Sequence, residues 1–225
     1  MSLILNIDTS SEQAAVTISN NGDLLACVLN EDQKEHASFL QAAIKRMMTG
    51  LGLSLNELEA VAVVNGPGSY TGLRVGLASA KGICYVIKKP LITIGTLPLM
   101  AKSAILDLQT KASVIPLLCP MIDARRLEVF TGLYNASMEE LIPAQAKILY
   151  PESFVEILLH NPVLFFGNGA LKWQGMVNNT NALFAGSFET PGALSQLSFS
   201  RFKSGLFTDL AYSEPLYLKE FYTGV

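Results

Sequence analysis

The chain has 225 residues, of which 50% are hydrophobic and 16% are charged, a composition that excludes an intrinsically disordered protein. A net charge of −3 argues against a protein that holds nucleic acid through its overall electrostatic field, so any role with RNA is expected to be indirect. No apolar run approaches 18 residues and no signal-peptide pattern opens the sequence, so we expect no membrane segment.

The first half of the sequence alternates strand and helix patterns. Apolar runs and turn residues predict strands at residues 3–8, 14–18, 24–29, 60–64 and 91–95. Apolar residues at helical spacing predict helices at residues 36–48 and 70–88 and a third helix from Thr96. Short turns between alternating strands and helices predict a parallel or mixed α/β sheet.

A second set of elements follows. Strands are predicted from Val114 and over residues 127–134 and 163–166, with a turn at 123–126, a helix at 151–159 and another helix after residue 170. The halves are similar enough to predict two domains, residues 1–105 and a smaller one at 106–225. We expect the segment around Tyr217 to pack back on the first domain.

The glycine-rich segment Gly66–Arg74 joins a buried strand to a helix. Unpaired N–H groups at a helix N-terminus form a ready anion site. The spacing Gly66, Gly68, Gly72 is one residue too long for the dinucleotide fingerprint, and no Gly-Lys-Ser/Thr is present. A tight turn that requires small residues therefore stays open as the alternative to an anion site.

A second polar turn follows the first strand. Asp8, Thr9 and Ser10 place a carboxylate, two hydroxyls and their N–H groups where they suit a phosphate, although an ordinary Asx or Ser turn is the alternative. Asp123, Arg125 and Arg126 form a third polar turn, for which a solvated loop with an internal ion pair is the simplest interpretation.

A stripe of small residues marks the helix that follows the glycine-rich turn. Gly72, Gly76 and Ala80 recur every four residues, and glycine inside a helix costs about 1 kcal/mol relative to alanine. Something should compensate for that cost, either internal packing or a helix from another chain. We place a partner interface here and on the preceding helix, at His36, Leu40, Ile44, Met47, Met48, Leu73, Gly76, Leu77, Ala80 and Cys84.

Residues suited to metal binding or hydrolysis are scarce. Cys27, Cys84 and Cys119 have neither disulfide nor zinc-knuckle spacing, which indicates a reducing, cytoplasmic location. His36 and His160 lie outside any H-E-x-x-H motif, and no G-x-S-x-G elbow is present. We therefore expect no metal site and no activated nucleophile.

At Gly66–Arg74 the sequence resembles the TsaB (YeaZ) family of bacterial proteins. Further matches are Asp8-Thr9-Ser10, Glu35-His36, Ile122–Arg126 with Glu128-Val129, Gly167-x-Gly169-Ala170 and Pro215–Leu218. The resemblance covers nearly the whole chain. It implies two actin-like, Hsp70-like ATPase domains of the ribonuclease H-like type, with degenerate phosphate and nucleotide loops at Asp8, Thr9, Ser10, Gly66, Gly68, Ser69, Gly167 and Gly169.

The resemblance also implies a function without catalysis. Such a protein binds its paralogue, the TsaD threonylcarbamoyltransferase, and with the TsaE ATPase they form threonylcarbamoyladenosine beside the anticodon of tRNAs that read codons beginning with A. The paralogue holds a metal with two helical histidines, and Leu40 replaces the second of them here. We expect no tightly bound cofactor, weak ATP or ADP binding, indirect tRNA contact and a homodimer when alone. A small-molecule kinase or a glycoprotease-like hydrolase of the same fold is the alternative.

Overall fold

A computed structural model of the chain describes residues 1–30 and 36–219. The strands within these residues are β1 (Leu3–Asp8), β2 (Ala14–Asn20), β3 (Asp23–Asn30), β4 (Ala60–Gly66), β5 (Leu91–Gly95), β6 (Leu117–Asp123), β7 (Glu128–Tyr134), β8 (Glu140–Ile148), β9 (Val163–Phe166) and β10 (Ala182–Ala185). The helices are α1 (His36–Gly50), α2 (Tyr70–Ile87), α3 (Thr96–Leu108), α4 (Val155–Leu158), α5 (Leu171–Gln174) and α6 (Pro191–Lys203).

Two five-stranded sheets repeat one topology. The first has the strand order β3-β2-β1-β4-β5, and the second has the matching order β8-β7-β6-β9-β10. In each sheet the first three strands of that order are antiparallel and the last three are parallel. This duplication confirms the predicted α/β fold of two mixed-sheet, actin-like domains.

The first unit comprises residues 1–99 and 190–216. Alternate side chains of β1, β2 and β4 point to one face, where they form an apolar core with residues of α1 and α2. Helix α6 packs against β1, β2, β3 and β5. Because both faces of the central strands are covered, β1 is buried along its whole length and β4 along nearly its whole length.

The second unit contains Met100–Glu189, and the described chain from Tyr217 on belongs to it. Its core is aromatic: Trp173 is fully buried, packs against Phe154 and Phe165, and donates its indole N–H to the carbonyl oxygen of Tyr150 at 3.0 Å. The sequence predicted two domains divided once, at residue 105. The two units are not divided in this way, because α6 and the residues after it return to the first sheet.

Most predicted elements are present, and the differences lie in the second half. Strand β6 begins at Leu117 rather than Val114, and the helix predicted for 151–159 is reduced to α4. Strands β8 and β10 and helix α6 have no counterpart among the sequence predictions. Among the described residues, no helix is both long and apolar enough to cross a membrane.

Candidate functional site

The loop after β1 and the turn after β4 meet at one edge of the first sheet. The two strands are parallel neighbours, so their carboxyl ends lie side by side. This brings Asp8–Ser10 against Gly66–Ser69, although more than 50 residues separate the two segments in sequence. The predicted phosphate loop and the predicted glycine-rich turn therefore form one structure.

Two hydrogen bonds join the loop to the beginning of α2. The backbone N–H of Ser69 donates to the carbonyl oxygen of Ser10 at 2.7 Å. The hydroxyl of Thr9 donates to the carbonyl oxygen of Gly72, also at 2.7 Å. Thr9 has no exposed surface and Ser10 is 4% exposed, so the contact is closed to solvent.

The glycines of this segment make room for the loop. A Cβ atom added to Gly68 would overlap the carbonyl oxygen of Ser10, and one added to Gly72 would overlap that of Thr9. A Cβ atom at Gly76 would overlap the Thr9 hydroxyl. The free energy that glycine costs inside a helix is therefore compensated within the chain, because these glycines let the loop approach α2 closely.

The polar groups of the loop bind one another. The Asp8 carboxylate accepts hydrogen bonds from the backbone N–H of Ser10 at 3.0 Å and from its hydroxyl at 2.7 Å. Ser69 caps α2, because its hydroxyl oxygen accepts from the N–H of Gly72 at 3.3 Å. These two N–H groups, which a phosphate would need from a phosphate loop, are engaged within the chain.

The C-terminal strap, residues 206–216, covers the same turn. Gly66 has φ +116°, and a Cβ atom there would lie 2.8 Å from the carbonyl oxygen of Leu216. The N–H of Leu216 donates to the carbonyl oxygen of Asn65 at 2.7 Å. On α2, the Lys81 ammonium donates to the carbonyl oxygens of Ala211 and Ser213 at 3.0 and 3.1 Å. The strap thus holds the glycine-rich turn in place from the outside.

The side chains predicted to form a partner interface are in the core of the first unit. None of the following is more than 5% exposed: Leu40, Ile44, Met47, Met48, Leu73, Leu77, Ala80 and Cys84; Gly76 is buried as well. This placement corrects the prediction that these side chains form a partner interface, because they pack in the core between the sheet and the two helices. The His36 side chain, like Glu35, lies outside the described residues.

The outward face of α2 carries a different glycine. Gly82 and Ala78, one turn apart, are exposed, and a Cβ atom at Gly82 would meet no atom within 4 Å among the described residues. Gln41 of α1 donates to the Ser79 hydroxyl at 3.2 Å, so the two helices lie side by side at this surface. Sequence reasoning missed Gly82 because it does not lie on the four-residue repeat of Gly72, Gly76 and Ala80.

The predicted nucleotide turn Gly167–Gly169 lies at the carboxyl end of β9. Gly167 has φ +96°, and a Cβ atom at Gly169 would lie 2.9 Å from a Val129 methyl carbon. Glycine is therefore required at both positions by the local backbone and packing. A cavity of about 420 Å³ lies beside the turn, lined by Gly167, Asn168, Ala170, Leu171, Gln174, Phe184, Ala185, Gly186 and Ser187.

In the polar turn between β6 and β7, the ion pair of Asp123 is with Lys172, outside the turn, so the prediction of an ion pair inside the turn is wrong. Asp123 accepts hydrogen bonds at 2.6 Å from both the Lys172 ammonium and the N–H of Arg125. The hydrogen bond from Lys172 is the main reason why the pKa of Asp123 lies below its usual value. Arg125 and Arg126 have φ of 71° and 48°, both in the left-handed region.

Cysteine, histidine and acidic side chains do not converge in the part of the chain that is described: no three of them lie close enough to hold a metal ion. Burial raises the pKa of the Cys84 thiol to about 11 and that of Cys119 to about 12. Cys27, on β3, is exposed.

Comparison with known proteins identifies the family. The family model of TsaD, tRNA N6-adenosine threonylcarbamoyltransferase, matches residues 24–213. The tRNA threonylcarbamoyladenosine biosynthesis protein TsaB of Bacillus subtilis is 28% identical over 181 residues, which span 78% of this chain and 75% of that protein. The Escherichia coli protein of the same name is 27% identical over 223 residues, which span 96% of this chain and 94% of that protein.

A solved structure shares the fold. The crystal structure of a Pseudomonas aeruginosa protein described as similar to the peptidase YeaZ matches with a TM-score of 0.80 at 22% identity, covering 97% of this chain and 100% of that one. At this identity the match establishes the shared fold. The family match over residues 24–213 shows that the chain belongs to the TsaD family, in which the relatives it matches over most of their length are TsaB (YeaZ)-type proteins.

Proposed function

We propose that the chain is a non-catalytic partner subunit of the complex that forms threonylcarbamoyladenosine next to the anticodon of tRNAs reading codons that begin with A. Its partners are a TsaD-type transferase and a TsaE-type ATPase, in the cytoplasm. The family match over residues 24–213 supports a place in this pathway, and both TsaB relatives are named for it. The observation that carries the non-catalytic assignment is the position of Leu40.

Leu40 occupies the position at which, according to the family resemblance, the transferase has the second of its two metal-binding histidines. Helix α1 begins at His36, and Leu40 is one turn further along. Its side chain is fully buried in the apolar core and has no atom that can bind a metal ion. These residues therefore do not fit a metal held by a histidine pair on α1, and we derive no catalytic step through such a metal.

The outward face of α1 and α2, marked by Gly82 and Ala78, is the surface we propose for the transferase. A glycine inside a helix costs about 1 kcal/mol relative to alanine, and none of the residues described in the structure fills the open space at Gly82. A helix from another chain that packs on Gly82 and Ala78 would bring two backbones close together. In the absence of the transferase, we propose that two copies of this chain pair through the same face.

We propose that no cofactor is tightly bound and that ATP or ADP binds at most weakly, in the assembled complex. The Ser10 and Gly72 N–H groups already have partners in Asp8 and Ser69. A phosphate at this loop would have to break those hydrogen bonds before forming its own. The cavity beside Gly167 offers room, but none of the described residues that line it is charged.

The experiment is a binding measurement with a bulky residue on the proposed face. The purified chain is mixed with its TsaD paralogue, and the molar mass is followed by light scattering during size-exclusion chromatography. Gly82→Trp should keep the wild-type Tm and weaken the complex at least about tenfold, because tryptophan blocks close helix approach. Gly175→Trp is the matched control, since Gly175 is also exposed and no described residue lies within 4 Å of its Cβ position. Equal binding by both variants would contradict the proposal and show that the transferase contacts another surface.

A further inference from the structure

We infer that the tip of the β6–β7 hairpin, Asp123–Glu128, binds the phosphate groups of an RNA backbone through Arg125 and Arg126. The inference rests on the proposed function, because that function supplies tRNA as the substrate. It revises the expectation of purely indirect tRNA contact, and it concerns a local patch, whereas the chain as a whole carries a net charge of −3.

The two arginines carry charge that the hairpin does not neutralise. Asp123 is paired with Lys172 at 2.6 Å, and Glu128 is paired with Lys219. Each carboxylate of the hairpin thus has its own lysine. Neither the Arg125 nor the Arg126 guanidinium has a hydrogen-bond or ion-pair partner within residues 1–30 and 36–219. Two positive charges therefore remain at an exposed tip.

The backbone holds both arginines in a conformation that glycine or asparagine adopts more readily. A left-handed φ at a residue with a side chain costs free energy and is retained where the surrounding structure requires it. The surroundings are well fixed here: Asp123 accepts from the N–H of Arg125, and Asn168 accepts from the N–H of Asp123 at 2.9 Å. The N–H of Ala124 donates to the carbonyl oxygen of Glu128 at 3.0 Å. The two guanidinium groups extend from a rigid base.

The form of the site favours an RNA backbone over a free nucleotide. Small molecules bind in concave sites that enclose them, and no residue of the hairpin lines the cavity beside Gly167. Guanidinium groups form paired hydrogen bonds with phosphate oxygens, and neighbouring arginines suit the successive phosphates of a polynucleotide. Contacts of this kind fix the position of an RNA without reading its sequence.

The test uses the complex with the TsaD paralogue, with tRNA and ATP as separate probes. We expect Arg125→Gln/Arg126→Gln to weaken tRNA binding about tenfold near 0.1 M salt. The logarithm of the association constant falls as the logarithm of the salt concentration rises. We expect the variant to make this fall less steep by about one to two, because one or two phosphate contacts are lost. Lys88→Gln/Lys111→Gln removes the same charge from the residue that follows α2 and from the segment that follows α3, and it should leave both values near wild type.

Complex mass and ATP affinity, measured on the same samples, distinguish an RNA contact from a protein contact and from a nucleotide site. An unchanged tRNA affinity and salt slope would overturn the inference. So would a loss of complex mass, which would make the hairpin a protein contact, or a loss of ATP affinity alone, which would make it a nucleotide site. If the wild-type chain forms no complex with the paralogue, the proposed function fails and the inference fails with it.

Discussion

The hydroxyl of Thr9 donates a hydrogen bond of 2.7 Å to the carbonyl oxygen of Gly72, which lies 63 positions further along the chain. This contact ties the loop after β1 to the first turn of α2. One turn later, Gly76 lies so close to the same hydroxyl that it has no room for a side chain. The small-residue stripe of α2 is therefore an internal docking surface for Thr9.

Gly76→Ala should lower the free energy of unfolding by about 1–3 kcal/mol, because the added methyl group overpacks a buried contact. Gly82→Ala is the matched change on the exposed face and should raise it by up to about 1 kcal/mol. Urea unfolding followed by circular dichroism measures both values. Gly76→Glu should unfold or express poorly, because a longer charged side chain has even less room beside the Thr9 hydroxyl. A stable Gly76→Glu protein would show that the Thr9 contact is dispensable.

Thr9→Val should lower the free energy of unfolding by about 1 kcal/mol, since it removes the hydroxyl donor and keeps the side-chain shape. Thr9→Ser keeps the donor and loses only a methyl group, so it separates the hydrogen bond from the packing. Thermal and urea unfolding of the two variants give the comparison. If Thr9→Val matches the wild type, the hydrogen bond contributes nothing to stability.

Native thiol reactivity should be confined to Cys27. At pH 8 an aromatic disulfide reagent should react rapidly with one thiol per chain, and with the other two only after unfolding. The reason is that burial raises the pKa of Cys84 to about 11 and of Cys119 to about 12, so neither forms thiolate near neutral pH. Cys27→Ser should abolish the rapid phase. Rapid reaction of two or three thiols in the folded protein would contradict the burial of these residues.

The Asp123–Lys172 pair should make stability depend on pH in the acid range. The pKa of Asp123 is lowered by folding, so its contribution is present above its unfolded value, about 3.9, and is lost as the pH falls through the folded value. The pair is partly exposed, so the contribution should stay below about 1 kcal/mol. Asp123→Asn should match the wild type at pH 2 and be slightly less stable at pH 7, as measured by urea unfolding. A constant difference across that range would assign the effect to another group.

Local signals in the sequence were enough to predict most of the fold. The turn at 20–23, the apolar run at 60–64 and the helical spacing from residue 36 predicted β2, β3, β4 and α1 because each signal is contained in a short segment. Helix α6 was missed because part of its buried face is polar: Ser195 and Ser198 are fully buried, and their hydroxyls bond to carbonyl oxygens of the same helix. No apolar stripe marks that face.

The arrangement of the site could not be predicted from the sequence. The polar loop at Asp8 and the glycine-rich turn at Gly66 were recognised separately, but their contact depends on the parallel pairing of β1 with β4, which no local pattern encodes. The contact that requires glycine at position 76 depends on the same long-range pairing. From the sequence alone, internal packing and contact with a partner helix therefore remained alternatives. In the structure Gly76 accommodates the Thr9 hydroxyl, whereas Gly82 has no contact of this kind with any residue in the described part of the chain.

The central claim is that this chain is a required partner without transferase activity of its own. Its most direct test is threonylcarbamoyladenosine formation on tRNA in a reconstituted system with a threonylcarbamoyl donor, the TsaD paralogue and the TsaE-type ATPase, with and without this chain. We predict product only when this chain and the paralogue are both present. Product from this chain without the paralogue, or equal product when this chain is omitted, would contradict the account.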